Sequence, residues 1–347
     1  MAVRNETVLS LLDVVSGKNP DGSSARIAEV LQRSNAIMDD MSWIEGNLET
    51  GHRTHVRTKN AKSTYRRFNQ GILPSKGAVR AKDETAAIQE SRQSVDRALA
   101  IKSGNPAEFR WKQGIPHIQG MHNDFMDVLI YGNEYADDTV FTGFMPRFNE
   151  LANEQVIDAG GAGTNLRSIL LVGWSETTVT GIVPKNGHQG LQHLDTTANR
   201  NIGSDGYPIG DEVEDGITPG ATYLAYSDRW IWEQGLAIPD PRYVVRIANI
   251  DLDELSLDPD TGGGAYLEDL MIQAEERFGA GSDPLAGVNA SFYMPRELST
   301  WARRQNAMAK RKTNFMWGEV GGRRVTQFGE IPVRRVDAMN VDEARVV

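Results

Sequence analysis

HRTHVRTKNAKSTYRRFNQGILPSKGAVRAK, residues 52–82, holds nine Lys and Arg residues and no Asp or Glu, in a chain whose formal net charge is −10 at pH 7. The stretch is too polar for a core. Its Thr, Tyr, Val and Gly content predicts two extended arms that reverse near residues 74–77, where Pro74 and Gly77 supply turn chemistry. That describes a long, basic, projecting hairpin with a need for acidic surface to lie against. Residues 1–112 carry 18 basic and 13 acidic residues, a net of +5, while the rest carries 19 and 34, a net of −15. A charge run is usually a solvated loop. A protruding arm nevertheless reaches a neighbouring copy more easily than its own body, so charge pattern and loop character together favour a homo-oligomer.

At 347 residues and 39% hydrophobic content, the chain can bury a sizeable core in two or three domains. It has no Cys, which excludes disulfides and thiolate metal sites and leaves the compartment open. The first residues, MAVRNETVLSLLDVV, carry Glu6 and Asp13 around a short apolar run and do not read as a signal peptide. No apolar run approaches the roughly 18 residues a membrane helix needs. A soluble protein without a membrane partner, intracellular where it is made, is expected.

Two short amphipathic segments are predicted at residues 7–15 and 24–34, split by a turn cluster at 17–24 and followed by an irregular run through Trp43 and Gly51. After the basic stretch, residues 83–101 set Ile88, Val95 and Leu99 on one helical face, with a stop at Gly104. Asn105-Pro106-Ala107-Glu108 is a helix start, because Asn caps, Pro suits the first position and Glu can reach back. Trp111, Ile115, Ile118, His122, Phe125 and Leu129 then recur at steps of four and three, a long spine helix that Gly114 and Pro116 should kink or break. Strands are predicted at 168–174 and 178–183 as a hairpin, and at 221–226, 230–237, 243–248, 290–294, 324–328 and 331–336. Helices are predicted at 266–278, with Leu267, Leu270, Met271, Ala274 and Phe278 on one face, and at 295–308, with Leu298, Trp301 and Met308. Residues 184–220 read as a Gly-rich acidic surface excursion. The fold class is α+β, a mixed sheet carrying helices.

Signals for chemistry are weak. His117 and His122 are five apart on the spine, where ligand pairs prefer four, and His122 lies on the apolar stripe of a core residue. His188 and His193, with Asp195, could bind a metal only through loop folding. Gly160-Gly161-Ala162-Gly163 lacks the spacing of a dinucleotide or phosphate loop and reads better as a turn. Asp251, Asp253, Asp258 and Asp260 suit a hard cation but not a twelve-residue calcium loop. No nucleophile elbow, His-Glu-x-x-His or Cys nucleophile is present, so no catalytic residue, metal or cofactor is assigned and an enzyme is not expected. Nucleic-acid binding remains the alternative, since Tyr65 and Phe68 interleave with Arg residues in the hairpin, although the acidic remainder would repel the same ligand.

Five pieces in order carry a resemblance: Tyr131-Gly132-Asn133; Val156-Ile157-Asp158-Ala159-Gly160-Gly161; Leu191-Gln192-His193; RYVVRIANID at 242–251; and IPVRRVDA at 331–338, with EARVV at 343–347. Over nearly its whole length the chain resembles the major capsid proteins of short-tailed bacteriophages related to phage epsilon-fifteen. That resemblance implies the tailed-phage capsid fold named for the Hong Kong phage. Residues 1–51 would be the N-terminal arm, 52–82 the extended loop, 83–240 mainly the peripheral domain with its spine helix, and 241–347 mainly the axial domain. It implies a virion protein, assembled in the host bacterial cytoplasm, that forms hexamers and pentamers of an icosahedral head around double-stranded DNA. Scaffold, portal and a cementing or decoration protein would be its partners. Arg53, Arg57, Lys59, Arg66, Arg67, Arg80 and Lys82 are then candidates for the subunit interface, pairing with acids of a neighbour. Lys59, Lys62 and Lys76 are available for the Lys–Asn crosslink some relatives form, but no catalytic carboxylate for it is identifiable.

Overall fold

The computed structural model describes residues 35–214, 220–257, 263–279, 284–308, 315–320 and 323–347. The segments predicted at 7–15 and 24–34, and Asp258 and Asp260, lie outside the described residues. The described chain opens with α1 (Ile37–Asp40), β1 (Trp43–Glu45), β2 (Gly51–Lys59), β3 (Ala78–Asp96), α2 (Arg97–Lys102), α3 (Pro106–Tyr131) and α4 (Phe144–Arg147). Strands β4 (Val156–Asp158), β5 (Leu166–Trp174), β6 (Thr180–Val183), β7 (Gln192–Asp195), β8 (Asp211–Glu214), β9 (Thr222–Ala237) and β10 (Val244–Asp251) follow. The remainder is α5 (Leu267–Arg277), β11 (Asn289–Met294), α6 (Arg296–Met308), β12 (Phe315–Val320), β13 (Arg323–Phe328) and β14 (Ile331–Arg335). Two compact units form: Ile88–Phe125 with His188–Glu233, and the described parts of Arg33–Ala87, Met126–Gly187 and Gln234–Val347.

In the first unit, β9 takes β7 and β8 antiparallel, in registers that set His193 opposite Trp230 and Asp211 opposite Ala225. The 184–220 excursion is therefore partly sheet rather than all loop. Helix α3 packs on this sheet, with Phe125 4.8 Å from Trp232 and the His117 ring 5.3 Å from Trp230. The helix expected at 83–101 is instead the end of a 19-residue strand, and only Arg97–Lys102 is helical. Its inward residues explain the misreading, because they are polar: Gln89 Nε2 donates to the Met121 carbonyl (3.1 Å), Gln93 Nε2 to that of Arg110 (3.4 Å), and Ser91 Oγ meets His117 Nδ1 (2.7 Å). A period of two written in Gln and Ser leaves no apolar signal.

The break expected at Gly114 and Pro116 does not occur, and α3 runs unbroken for 26 residues. Gly114 is a contact point: a Cβ there would lie 2.6 Å from Trp230 Cζ2. Packing offsets the roughly 3 kcal/mol that an interior proline costs a helix. Of the predicted stripe, Phe125 and Leu129 are buried, Ile115, Ile118 and His122 are half-buried, and Trp111 is exposed.

The second unit holds the sheet β12-β13-β14-β11-β5-β10-β4. Strands β5 and β10 are buried at every residue, which accounts for their continuous apolar runs. Helix α5 buries Leu267, Leu270, Met271 and Ala274, with Phe278 just beyond it, and α6 adds Leu298 to the same core. Strand β12 had no sequence signal strong enough to read. The hairpin expected between 168–174 and 178–183 is corrected: β6 instead pairs antiparallel with β9 and parallel with β1, and β5 is antiparallel to both β10 and β11. The segments read separately at 221–226 and 230–237 are one 16-residue strand. Within this unit β2 and β3 pair from Gly51 opposite Thr85 to Lys59 opposite Ala78. No helix among the described residues is long and apolar enough to cross a membrane.

Candidate functional site

The basic hairpin has two parts. Its paired arms put Arg53, His55 and Arg57 on one face and Lys82 and Arg80 on the other, because side chains alternate along each strand and cross-strand partners share a face. Beyond Lys59 the chain leaves the ladder and reverses at residues 67–70, where Gln70 N–H donates to the Arg67 carbonyl (3.2 Å) and Asn69 takes a left-handed conformation (φ 64°). Asn tolerates that region, so the reversal sits there rather than at 74–77.

The candidate cations fall into two groups. Arg53 grips Asp83 through Nε (2.5 Å) and Nη2 (2.7 Å), and this bond lowers the Asp83 pKa and raises that of Arg53. Lys82 lies 2.6 Å from Glu84, a buried carboxylate also held by Arg147 at 2.6 Å. These two are satisfied within the chain. Arg57, Lys59, Arg66, Arg67 and Arg80 form no ion pair among the described residues, and all are exposed. Around the reversal Tyr65 and Phe68 are fully exposed and Leu73 is 90% exposed, with none of the described residues over them. Sequence reasoning singled out the charges, yet the uncovered rings are the larger anomaly.

The other sequence candidates have structural roles. Asp251 Oδ2 accepts from Gly163 N–H (2.9 Å), so the Gly-rich turn cradles a carboxylate of its own chain. Asp251 also accepts from Asp253 N–H, and Asp253 accepts from Asn165. His193 Nε2 lies 3.0 Å from Asp228, while Asp195 binds Arg110 (2.9 Å) and His188 N–H donates to Glu233 (3.1 Å). His117 stacks on Trp230. Among the described residues no group of three or more His, Cys, Asp or Glu side chains could hold a metal ion.

A polar knot in the second unit joins several fragments that are far apart in sequence. Arg246, 2% exposed, donates to the Ser168 hydroxyl (3.1 Å), the Met145 and Phe148 carbonyls (3.3 and 2.9 Å) and Glu343 (2.7 Å). Glu343 also accepts from Ser168 Oγ (2.5 Å) and Tyr131 OH (3.1 Å), and its own N–H donates to the Leu166 carbonyl (3.0 Å). Burial first, then the Glu343 carboxylate, pushes the Tyr131 hydroxyl far above its usual pKa. Asn249, left-handed at φ 58° where β10 shifts register, forms a reciprocal pair with the Val346 backbone (2.8 and 2.9 Å) and donates to Asp158 (2.8 Å). Both Glu343 oxygens are taken by its own chain, so this is a fastening rather than a substrate site.

Comparison with known proteins agrees with a structural role. A family model described as major capsid protein GP7 matches residues 19–347. A chain of the near-atomic-resolution cryo-EM structure of bacteriophage Epsilon15 is 27% identical over 100% of both chains, with a TM-score of 0.76. The capsid of bacteriophage JBD30 is 12% identical, covers 90% of this chain and 93% of that one at a TM-score of 0.50, and shows a shared fold. No curated protein matches the chain. The α+β architecture is thus the tailed-phage capsid fold, the nucleic-acid-binding alternative is not favoured, and the role is structural. The chain belongs to the GP7 family of major capsid proteins, which build the icosahedral shell of a phage virion.

Proposed function

We propose that copies of this chain assemble as hexamers and pentamers into the head that encloses double-stranded DNA, and that each hairpin tip lies on an adjacent copy. The uncovered tip carries this reading. Burying each of Tyr65, Phe68 and Leu73 would contribute about 1.5–3 kcal/mol, whereas each exposed ion pair contributes about 0–1 kcal/mol. These three side chains therefore supply most of the contact energy, and Arg57, Lys59, Arg66, Arg67 and Arg80 select acidic surface around them, joined by Arg53 and Lys82 if their own partners exchange. A monomer would leave these rings in water, which is the signature of an interaction surface.

Strands β10, β11 and β14 with α5 and α6 are assigned to the axial domain, joined by β4 and β5 from the span 83–240 that is otherwise mainly peripheral, and α3, β7, β8 and β9 are assigned to the peripheral domain. Scaffold, portal and cementing proteins, and assembly in the host cytoplasm, belong to the same proposal. The test is negative-stain microscopy of the chain expressed alone and with its neighbouring genes. Closed shells or six- and five-fold rings are expected. A monomer under every condition, retained on DNA in low salt, would overturn it.

A further inference from the structure

In the unit made by Ile88–Phe125 and His188–Glu233, two imidazoles stack on one indole. The Trp230 ring of β9 lies 5.3 Å from the His117 ring of α3, planes 12° apart, and 5.2 Å from the His193 ring of β7, planes 25° apart. The two histidines are held differently. His193 Nε2 sits 3.0 Å from Asp228, a carboxylate that Arg110 grips at 2.7 and 3.0 Å. Among the described residues His117 Nδ1 meets only the Ser91 hydroxyl, at 2.7 Å, and the ring makes no ion pair.

The charged groups around each ring sharpen the contrast. His193 faces Asp228 from β9, Arg110 from α3 and Asp195 on its own strand, with Arg200 beyond Asp195 at 4.0 Å. His193 thus sits within an ion network on a half-exposed side chain. His117 shares a shallow cavity of about 330 Å³ with Glu90 of β3 and Asp124 of α3. Glu90 is already committed to Arg229, and Asp124 is exposed. The turn that carries His117 is also intrinsically weak, since Gly114, Pro116 and Gly120 all disfavour a helix there. Contacts with Trp230 and Ser91 hold it seated, beside the bonds that Gln93 and Gln89 make to the Arg110 and Met121 carbonyls at either end.

We propose that His117 is a protonation-controlled lock, which neutral holds the middle of α3 against Trp230 and Ser91, and which protonated releases that turn from the sheet. Burial lowers the His117 pKa below the usual 6.5, and no neighbouring carboxylate offsets it. A histidine with a depressed folded pKa leaves the closed state at full strength above the unfolded value, and the closed state weakens as the pH falls below 6.5.

Hydrogen–deuterium exchange with mass spectrometry on the full-length protein tests this at pH 7.5 and 5.5, after correction for intrinsic exchange rates. Peptides covering 111–121 are expected to open more at pH 5.5, by up to about tenfold, while peptides from β5 and β10 in the same digest stay unchanged. His117→Phe, which keeps a ring on the indole but cannot take a proton, should abolish the rise, and His193→Gln should retain it. An unchanged ratio in the native protein would overturn the proposal without any variant. So would a rise that survives in His117→Phe.

Discussion

Removing one carboxylate should loosen the second unit more than any surface change. Glu343 is the counter-charge of Arg246, and the two side chains are 5% and 3% exposed. Glu343→Ala leaves a guanidinium enclosed by the Met145 and Phe148 carbonyls and the Ser168 hydroxyl, with no anion. Breaking a buried pair from one side costs about 3–5 kcal/mol, because the remaining charge is uncompensated. Tyr131 and Ser168 lose an acceptor at the same time, which keeps the value near the upper end. Glu343→Gln retains an acceptor oxygen but no charge and should cost less. Replacing both partners, Arg246→Met with Glu343→Leu, should be much milder than the single change, since two apolar groups need no compensation. Urea unfolding of the unassembled protein, followed by near-ultraviolet circular dichroism, measures the native chain and these three variants, and adding the single changes Arg246→Met and Glu343→Leu completes the double-mutant cycle that isolates the pair. A loss below about 1 kcal/mol in Glu343→Ala would refute the reasoning, for it would mean that water or another anion reaches Arg246.

Phe68→Ser should lower particle yield at both low and high salt, whereas Arg66→Glu should do so mainly at low salt, where exposed charges are least screened; equal effects would contradict the dominance of the rings. Gly114→Val should drive a side chain into the Trp230 indole, where even a Cβ would be 2.6 Å from Cζ2, and exchange protection around residue 114 should fall while β5 and β10 keep theirs. Asp195 is pushed up by burial but more strongly lowered by hydrogen bonds from Arg110 and Thr197, so its folded pKa lies below the usual 3.8. Its stabilising share is complete above pH 3.8 and lost as the pH falls through the lower folded value, so Asp195→Asn should flatten that part of the urea-midpoint profile.

Where apolar spacing and burial coincide, the fold was legible. Leu267, Leu270, Met271, Ala274 and Phe278 read as one face and are one face, and the continuous run of β10 reads as a buried strand and is one. Legibility failed where polar side chains face inward. Gln89, Ser91 and Gln93 bond to α3, so β3 carries no apolar alternation, and the chance spacing of Ile88, Val95 and Leu99 imitated a helix. It failed again at Gly114, whose meaning lies in Trp230, more than a hundred residues away. The hairpin was recognisable from its charge and composition, but neither could show that Arg53 and Lys82 already have partners while Tyr65 and Phe68 are covered by none of the described residues.

The fragments that carry the family resemblance look unrelated along the chain, and several of them meet in the knot. Tyr131 and Arg246 reach Glu343, Asp158 and Val346 reach Asn249, and Gly161 N–H donates to the Asn249 carbonyl at 2.9 Å. An Arg, a Glu, a Tyr and a Ser buried together would suggest catalysis in another setting. Here each acceptor is filled by the chain itself, and what the arrangement accomplishes is topological: it ties segment 342–347 across β4, β5 and β10. A shell subunit is loaded through its contacts with neighbours, so a segment held only by apolar packing could peel away from an edge one residue at a time. Charge-assisted bonds to Arg246, with the reciprocal pair at Asn249, make release cooperative, because freeing the segment strips a buried charge and a buried amide of these partners together. Residue types that recur for catalysis in enzymes are thus expected in a capsid protein wherever a strand end must not fray.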